Sequence, residues 1–187
     1  MKNTTELNWE QMVDEAYTDS FVQADEVTDG NSKSFMNKWV TSHFSNISNF
    51  HDTPDYCHVD GAVYNAQTNT IICFEYKKRN IPSTLYGDAI MTQKKYLYLK
   101  NSREKLIQMA EEKGIKVNVV NLLVTIYTDG VMCFWKAENY VCEGRIRMTA
   151  TTEKTYGSKA MIEAPTVIYK VDKALIKVDV DVDEIYS

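Results

Sequence analysis

The sequence predicts a mixed α/β domain in which a largely antiparallel β-sheet is flanked by helices. Three observations predict it. The 187 residues are 44% hydrophobic and 25% charged, with only seven Gly and three Pro, which is typical of a globular domain. Helical and alternating hydrophobic patterns succeed one another along the chain. Two strand-like segments double back over short polar connections, and Asp129-Gly130 is the strongest hairpin signal of the chain.

The N-terminal part predicts two helices. Residues 7–17 form a short helical pattern, and residues 25–31 form a polar break that is rich in turn-forming residues. Apolar residues then recur at helical spacing, namely Phe35, Trp39, Val40, Phe44 and Ile47. Ser32 or Ser34 would cap this second helix. Residues 51–54 would end it, because they include a proline that follows Asp and Thr.

A β-hairpin is predicted next. Residues 56–64 and 70–77 are rich in aromatic and β-branched side chains, and a polar segment separates them. If the loop consists of residues 66–69, residues whose numbers sum to 135 face each other across the hairpin. The sequence therefore predicts the strand register as well as the strands.

A long helical pattern begins at Leu85, with a break expected near Asn101 and a stop at Gly114. Four strands are expected to follow it, over residues 117–127, 131–135, 145–152 and 165–171. The resulting order is two helices, a hairpin, a long helix, a second hairpin and a β-rich tail.

No repeat and no Pro/Gly/Ser-rich linker divides the chain, so we expect a single domain over residues 1–187. Its core would be about 31–136, with an N-terminal helix in 1–20 and the β-rich tail of 145–187 as extensions. The longest apolar stretch is half the length of a membrane-spanning helix, and the start lacks a signal-peptide pattern. Four cysteines without a Cys-x-x-Cys pair are typical of reduced thiols. We expect a cytoplasmic protein with no membrane partner.

The net charge of -5 is unevenly distributed. Residues 1–30 carry eight acidic residues and one Lys, residues 171–187 carry five acidic residues and two Lys, and the segment between them has a net charge of +5. Eight basic and three acidic residues lie between Glu75 and Lys105. These basic residues predict either a phosphate-binding patch or an ordinary solvated helix face.

Glu75 is the most informative charged residue, because it follows Ile-Ile-Cys-Phe, a sequence typical of a buried strand. A buried carboxylate needs partners. The predicted register places Asp60 opposite Glu75, with Lys77 on the same face. One lysine cannot offset two carboxylates at the edge of an apolar core, whereas a divalent cation such as Mg²⁺ can. The alternative is an ion-paired polar face on a surface hairpin.

These residues resemble the PD-(D/E)XK nuclease superfamily. The resemblance covers about residues 54–127 and consists of Val59-Asp60-Gly61-Ala62 on one strand, then Phe74-Glu75-Tyr76-Lys77 on the next, followed by a long helix. It implies a restriction-endonuclease-like mixed β-sheet flanked by helices. It also implies Mg²⁺, with Mn²⁺ as a substitute, bound by Asp60, Glu75 and the backbone carbonyl of Tyr76. Lys77 would position or activate the attacking water.

The resemblance also directs attention to neighbouring residues. An acidic residue of the first helix would join the site, and Glu10, Asp14 and Glu15 are equal candidates. Asp55, which follows Pro54, has a lesser claim to the metal. Some family members carry a Gln and a Tyr on the helix after the Glu-x-Lys strand. The predicted nucleic-acid contacts are Lys78, Arg79, Gln93, Lys94, Lys95 and Tyr96.

The predicted function is therefore DNA cleavage by a metal-dependent endonuclease or exonuclease. Cutting both strands of a duplex with one site per chain favours a homodimer. A second hypothesis is a catalytically inactive nuclease-like fold, of viral origin, that binds DNA or protein as a regulator. The acidic pI of about 5.3 and the acidic flanks favour this second hypothesis. No Gly-rich phosphate loop predicts a nucleotide cofactor, and no Gly-x-Ser-x-Gly motif predicts a serine hydrolase.

Overall fold

The computed structural model describes residues 8–18, 30–54, 57–150 and 161–183. Its helices are α1 (Trp9–Tyr17), α2 (Gly30–His43) and α3 (Gln93–Glu112). Its strands are β1 (His51–Asp52), β2 (Gly61–Asn65), β3 (Thr70–Lys78), β4 (Asp88–Thr92), β5 (Asn118–Ile126), β6 (Val131–Lys136), β7 (Cys142–Ala150), β8 (Met161–Lys170) and β9 (Ile176–Asp179), with a short 3₁₀ turn at Val171–Lys173. No helix in the described part is long and apolar enough to span a membrane.

The main sheet has six strands in the order β1-β2-β3-β5-β6-β9. Neighbouring strands are antiparallel except β3 and β5, which run parallel and are connected through β4 and α3. A parallel pair needs such a crossover, and a helix is its usual form. The expected mixed α/β class, with a mixed sheet flanked by helices, is therefore confirmed.

The predicted hairpin register is confirmed. Gly61 faces Phe74 and Ala62 faces Cys73, so the paired numbers sum to 135, and residues 66–69 form the loop. The second hairpin, β5 with β6, turns at Gly130, whose positive φ of 77° is a conformation that glycine adopts without strain. Both hairpins are local structures with clear turn chemistry, which is why the sequence predicts them.

The two faces of the main sheet carry separate hydrophobic cores. Helices α1 and α3 cover one face, and Ile71 and Cys73 point into that core from β3. Helix α2 covers the other face, toward which Phe74 and Tyr76 point. The alternation follows from the two-residue period of a strand, and it places Glu75 and Lys77 on the α1/α3 face.

The strand β4 corrects a prediction, because residues 88–92 are not the start of the long helix. They pair with β8 in a second, three-stranded antiparallel sheet of order β4-β8-β7. Helix α3 begins only after Thr92, whose side chain caps the Lys95 N–H. The apolar residues of 85–92 fit either a helix or a strand, and a partner almost eighty residues away determines the outcome.

Three further expectations were wrong in detail. Helix α2 starts at Gly30, before Ser32 and Ser34, so neither serine is its N-cap. It ends at His43, and Asn46, with a positive φ of 59°, turns the chain before Ile47. Residues 51–52 form an edge strand instead of a helix end.

Helix α3 is continuous through Asn101, where a break was expected. Its predicted stop is confirmed, because Gly114 has φ of 71° and its N–H donates to the Glu111 carbonyl while Ile115 N–H donates to that of Ala110. This pair of bonds is a Schellman motif. Most of the polar break expected before α2, together with the tip between β7 and β8, lies outside the described residues.

Candidate functional site

Glu75 lies on β3 where the apolar run ends, and only 7% of the residue is exposed. Its side chain shares the α1/α3 face with Ile71 and Cys73, as expected from strand periodicity. A buried carboxylate without partners would be strongly unfavourable. The chain therefore has to supply cations or donors at this position.

Two lysines supply positive charge next to the Glu75 carboxylate. Lys77, two residues along the same strand face, has its Nζ 3.6 Å from Glu75 Oε1. Lys95, in the first turn of α3, has its Nζ 2.9 Å from Glu75 Oε2. Each carboxylate oxygen thus faces one ammonium group, and the site links the end of β3 to the beginning of α3.

Asp60 lies immediately before β2. The regular pairing ends at Gly61, and the Asp60 N–H donates to the Phe74 carbonyl at 2.8 Å. The Asp60 carboxylate accepts a 2.7 Å hydrogen bond from the Tyr76 N–H. Asp60 therefore lies beside the Glu75-Tyr76 peptide, although the regular strand pair expected between Asp60 and Glu75 is not formed.

Gly61 explains why the Asp-Gly sequence occurs here. A Cβ atom on Gly61 would lie 2.3 Å from Phe50 Cζ and 2.9 Å from the His51 carbonyl oxygen. Phe50 also packs against Phe74 and Tyr76 on the α2 face. Only glycine allows this aromatic packing directly beside Asp60.

Tyr76 contributes its backbone to the site and its side chain to the core. The N–H and C=O of a strand residue point to the same side, so the Tyr76 carbonyl faces the side of β3 on which Asp60 lies. The phenol packs with Phe50 and Phe74, and burial raises its pKa well above the usual value. The ring is therefore a neutral core group.

Among the three acidic residues of the first helix, Asp14 makes the most informative contact. His51 Nε2 donates to Asp14 Oδ1 at 2.8 Å. The Cys57 thiol donates a hydrogen bond to the Asp14 backbone carbonyl. Burial raises the pKa of this thiol, so it stays protonated and is a poor nucleophile. Asp55 lies outside the described residues.

A groove of about 820 Å³ runs between α1 and α3. His58 and Tyr98 stack at its wall with ring centroids 4.3 Å apart, and Lys94 Nζ lies 5.7 Å from the Tyr98 ring centroid. The groove also contains Asp14 and Lys105, so it is lined by both signs of charge. This mixture of charges does not by itself favour the binding of a polyanion.

The six predicted nucleic-acid contacts fall into different environments. Lys78 and Lys94 are exposed. Arg79 is half-buried, donates from Nη2 to the Ile90 carbonyl at 2.9 Å, and has a pKa lowered by burial. Lys95 is the partner of Glu75. The exposed lysines are therefore the ones best placed to meet a phosphate.

Gln93 and Tyr96 connect α3 to the second sheet. Gln93 Nε2 donates to Glu143 Oε1 at 2.9 Å, and the Tyr140 hydroxyl donates to Glu143 Oε2 at 2.7 Å. Tyr96 packs edge-on against Tyr140, with ring centroids 5.2 Å apart. These contacts hold the first turn of α3, and with it Lys95, against the start of β7.

The donor set at the end of β3 is suitable for Mg²⁺. Two carboxylates, Asp60 and Glu75, and one backbone carbonyl are hard oxygen ligands, and Mg²⁺ retains several waters when proteins bind it. Among the described residues there is no group of three or more His, Cys, Asp and Glu side chains that could hold a metal. A zinc site of the usual four side-chain ligands is therefore not supported there.

Sequence reasoning missed two features of this region. The Lys95–Glu75 ion pair joins residues of β3 and α3, and predicting it requires knowing where α3 begins. The sequence signal for that start is Thr92, which is a suitable N-cap residue. The Asp14–His51 pair joins α1 to the edge strand β1 and had no sequence signal beyond the presence of both residue types.

No family model, no curated protein and no solved structure matches this chain. The assignment of a function therefore depends on the residues and contacts described above.

Proposed function

We propose that this protein is a metal-dependent deoxyribonuclease that hydrolyses phosphodiester bonds at the end of β3. The single observation that carries the proposal is a buried glutamate just past the end of the β2–β3 pairing, with a second carboxylate and a lysine beside it. Glu75 is 7% exposed, Lys77 Nζ lies 3.6 Å from it, and Asp60 is bonded to the adjacent Tyr76 N–H.

In this proposal Asp60, Glu75 and the Tyr76 carbonyl hold Mg²⁺. The ion supplies charge stabilisation for the pentacoordinate phosphate when it is bound. Lys77 holds the attacking water by a hydrogen bond from its ammonium group. The water oxygen attacks phosphorus and releases a proton to solvent, the bond to one sugar oxygen breaks, and that oxygen takes a proton from solvent. The products are a phosphate monoester and a sugar hydroxyl.

The exposed lysines Lys78 and Lys94 flank this centre and would contact the DNA backbone. Lys78 continues β3 beyond Lys77, and Lys94 precedes Lys95 in the first turn of α3. Contacts of this kind carry no sequence information. The proposal therefore extends to cleavage of a DNA backbone and to no particular sequence, and a homodimer remains an expectation from substrate symmetry.

The experiment is a cleavage assay with supercoiled, linear, branched and single-stranded DNA in Mg²⁺ or Mn²⁺, with EDTA as control. We expect cleavage of at least one DNA that is lost in Glu75→Gln and Asp60→Asn. Cleavage that persists in both variants would assign the activity to another site or to a contaminant. No cleavage of any DNA by the wild type would contradict the proposal.

A second candidate is a nuclease-like fold without catalysis that acts as a binding protein. The two lysines on Glu75 favour it, because they already neutralise the carboxylate without a metal. Titration of the protein with Mn²⁺ distinguishes the two candidates. Binding that is lost in Glu75→Gln favours the enzyme, whereas the absence of binding favours the non-catalytic protein.

A further inference from the structure

Lys95 lies on one of the two carboxylate oxygens of Glu75, which is a ligand of the proposed metal. Its Nζ is 2.9 Å from Glu75 Oε2, whereas the other lysine contacts the opposite oxygen at 3.6 Å. A cation bound to Oε2 and the Lys95 ammonium would therefore compete for one oxygen atom. Two positive charges held on the same oxygen atom repel each other strongly when solvent is partly excluded, so both cannot stay in place.

The anchoring of Lys95 determines where the side chain can move. Thr92 caps the Lys95 N–H, so the backbone of this first turn of α3 is held in place. Contacts of Gln93 and Tyr96 with the start of β7 hold the same turn from the other side. The backbone is thus held in place, and the ammonium group is carried on a flexible four-carbon stem that can change its rotamer.

We propose that Lys95 is a placeholder cation that occupies Glu75 Oε2 in the metal-free protein and moves to the DNA phosphate when Mg²⁺ binds. The inference rests on the proposed function and adds a positioning residue to it. It makes metal binding and phosphate binding cooperative, because the ion that binds Glu75 releases a cation for the substrate.

Calorimetric titration with Mn²⁺ tests the placeholder role through Lys95→Met, which keeps the stem and removes the charge. We expect Lys95→Met to bind Mn²⁺ roughly five-fold more tightly than the wild type, because the metal no longer displaces an ion pair. Its DNA affinity in the presence of metal should fall. The matched control is Lys100→Met, which removes an exposed lysine of the same helix and should leave Mn²⁺ affinity unchanged.

A measurement on the wild type avoids any effect of the substitution on folding. Brief acetylation of lysine amines, quantified by peptide mass spectrometry, should show more modification of Lys95 relative to Lys94 when Mg²⁺ is added. Unchanged labelling of Lys95 in protein that binds Mg²⁺ would contradict the placeholder role, as would equal Mn²⁺ affinity of Lys95→Met and the wild type. Both results leave the nuclease proposal intact. A wild type that neither binds metal nor cuts DNA contradicts the nuclease proposal and this inference together.

Discussion

Glu75 and Asp88 are two nearly buried carboxylates, and each lies between two cationic side chains. The Glu75 side chain is 9% exposed and its lysines lie at 2.9 and 3.6 Å. The Asp88 side chain is 11% exposed, with Arg147 and Lys170 at 3.5 and 3.8 Å. The two clusters look alike in burial and charge, and the first has a second carboxylate, that of Asp60, on the peptide next to Glu75.

The difference lies in the surroundings of each carboxylate. Asp88 pairs with Lys170 directly across β4 and β8, so its contact holds the second sheet together. Glu75 lies where β2 has ended, and Asp60 and the Tyr76 backbone occupy the space that a paired strand would fill. Burial with ion pairing is therefore common to a structural cluster and a candidate site, and an incomplete strand pair with a second acid distinguishes the site.

The largest difference is expected in catalysis. Glu75→Gln should lower the DNA cleavage rate by at least about 100-fold, because even residues that only support a metal ligand contribute 10- to 100-fold. Asp88→Asn, the matched change in the structural cluster, should leave the rate unchanged. The measurement is the initial rate of plasmid nicking in Mg²⁺. Equal losses in both variants would mean that the two clusters have the same structural role.

A second difference is expected at the glycines beside the two acids. Gly61→Ala should cost about 3 kcal/mol of unfolding free energy, because the new Cβ meets the Phe50 ring at 2.3 Å in a packed core. Gly87→Ala, next to Asp88, meets no atom within 4 Å and should cost only about 1 kcal/mol for its positive φ.

Urea denaturation measures both costs, and Mn²⁺ titration adds a functional readout. Metal affinity should fall in Gly61→Ala because Asp60 is displaced, and it should not change in Gly87→Ala. Normal stability and normal metal affinity in Gly61→Ala would show that the close approach of Phe50 to this backbone is unimportant.

The ion pairs themselves should differ in their effect on folding. Glu75→Ala should destabilise the metal-free protein by about 2 kcal/mol, because it removes a carboxylate that contacts two lysines with side chains only 30% and 26% exposed. Asp88→Ala should cost about 1 kcal/mol, since Arg147 and Lys170 are 38% and 45% exposed and are better solvated. Urea denaturation in EDTA gives both values, and a larger cost for Asp88→Ala would reverse the comparison.

The smallest expected effect concerns DNA binding. Lys94→Ala should reduce the slope of log affinity against log salt concentration by about 1, which corresponds to one lost phosphate contact. Lys170→Ala removes the same charge from the structural cluster and should leave the slope unchanged. Fluorescence anisotropy with a short duplex in Ca²⁺, at several salt concentrations, measures both slopes. A change of slope in Lys170→Ala but not in Lys94→Ala would indicate that DNA binds to the second sheet instead.

Local features were predictable from the sequence because their causes are local. Strand periodicity placed Glu75 and Lys77 on one face, and the loop length determined the register of β2 with β3. The stop of α3 at Gly114 followed from the freedom of glycine to adopt a positive φ. The glutamate and lysine of the candidate site, and the burial of the glutamate, were therefore inferred before the fold was known.

Only the tertiary structure decided which residues surround Glu75. Residues 88–92 became a strand because β8 pairs with them, and this moved the start of α3 to Gln93. That start brings Lys95 to Glu75, twenty residues earlier in the chain, and makes it an ion-pair partner of that carboxylate. The sequence by itself determined the strand, its register and its charged end, since these depend on neighbours a few residues apart. The partners of that charged end depend on how distant elements dock, and a local pattern carries no information about docking.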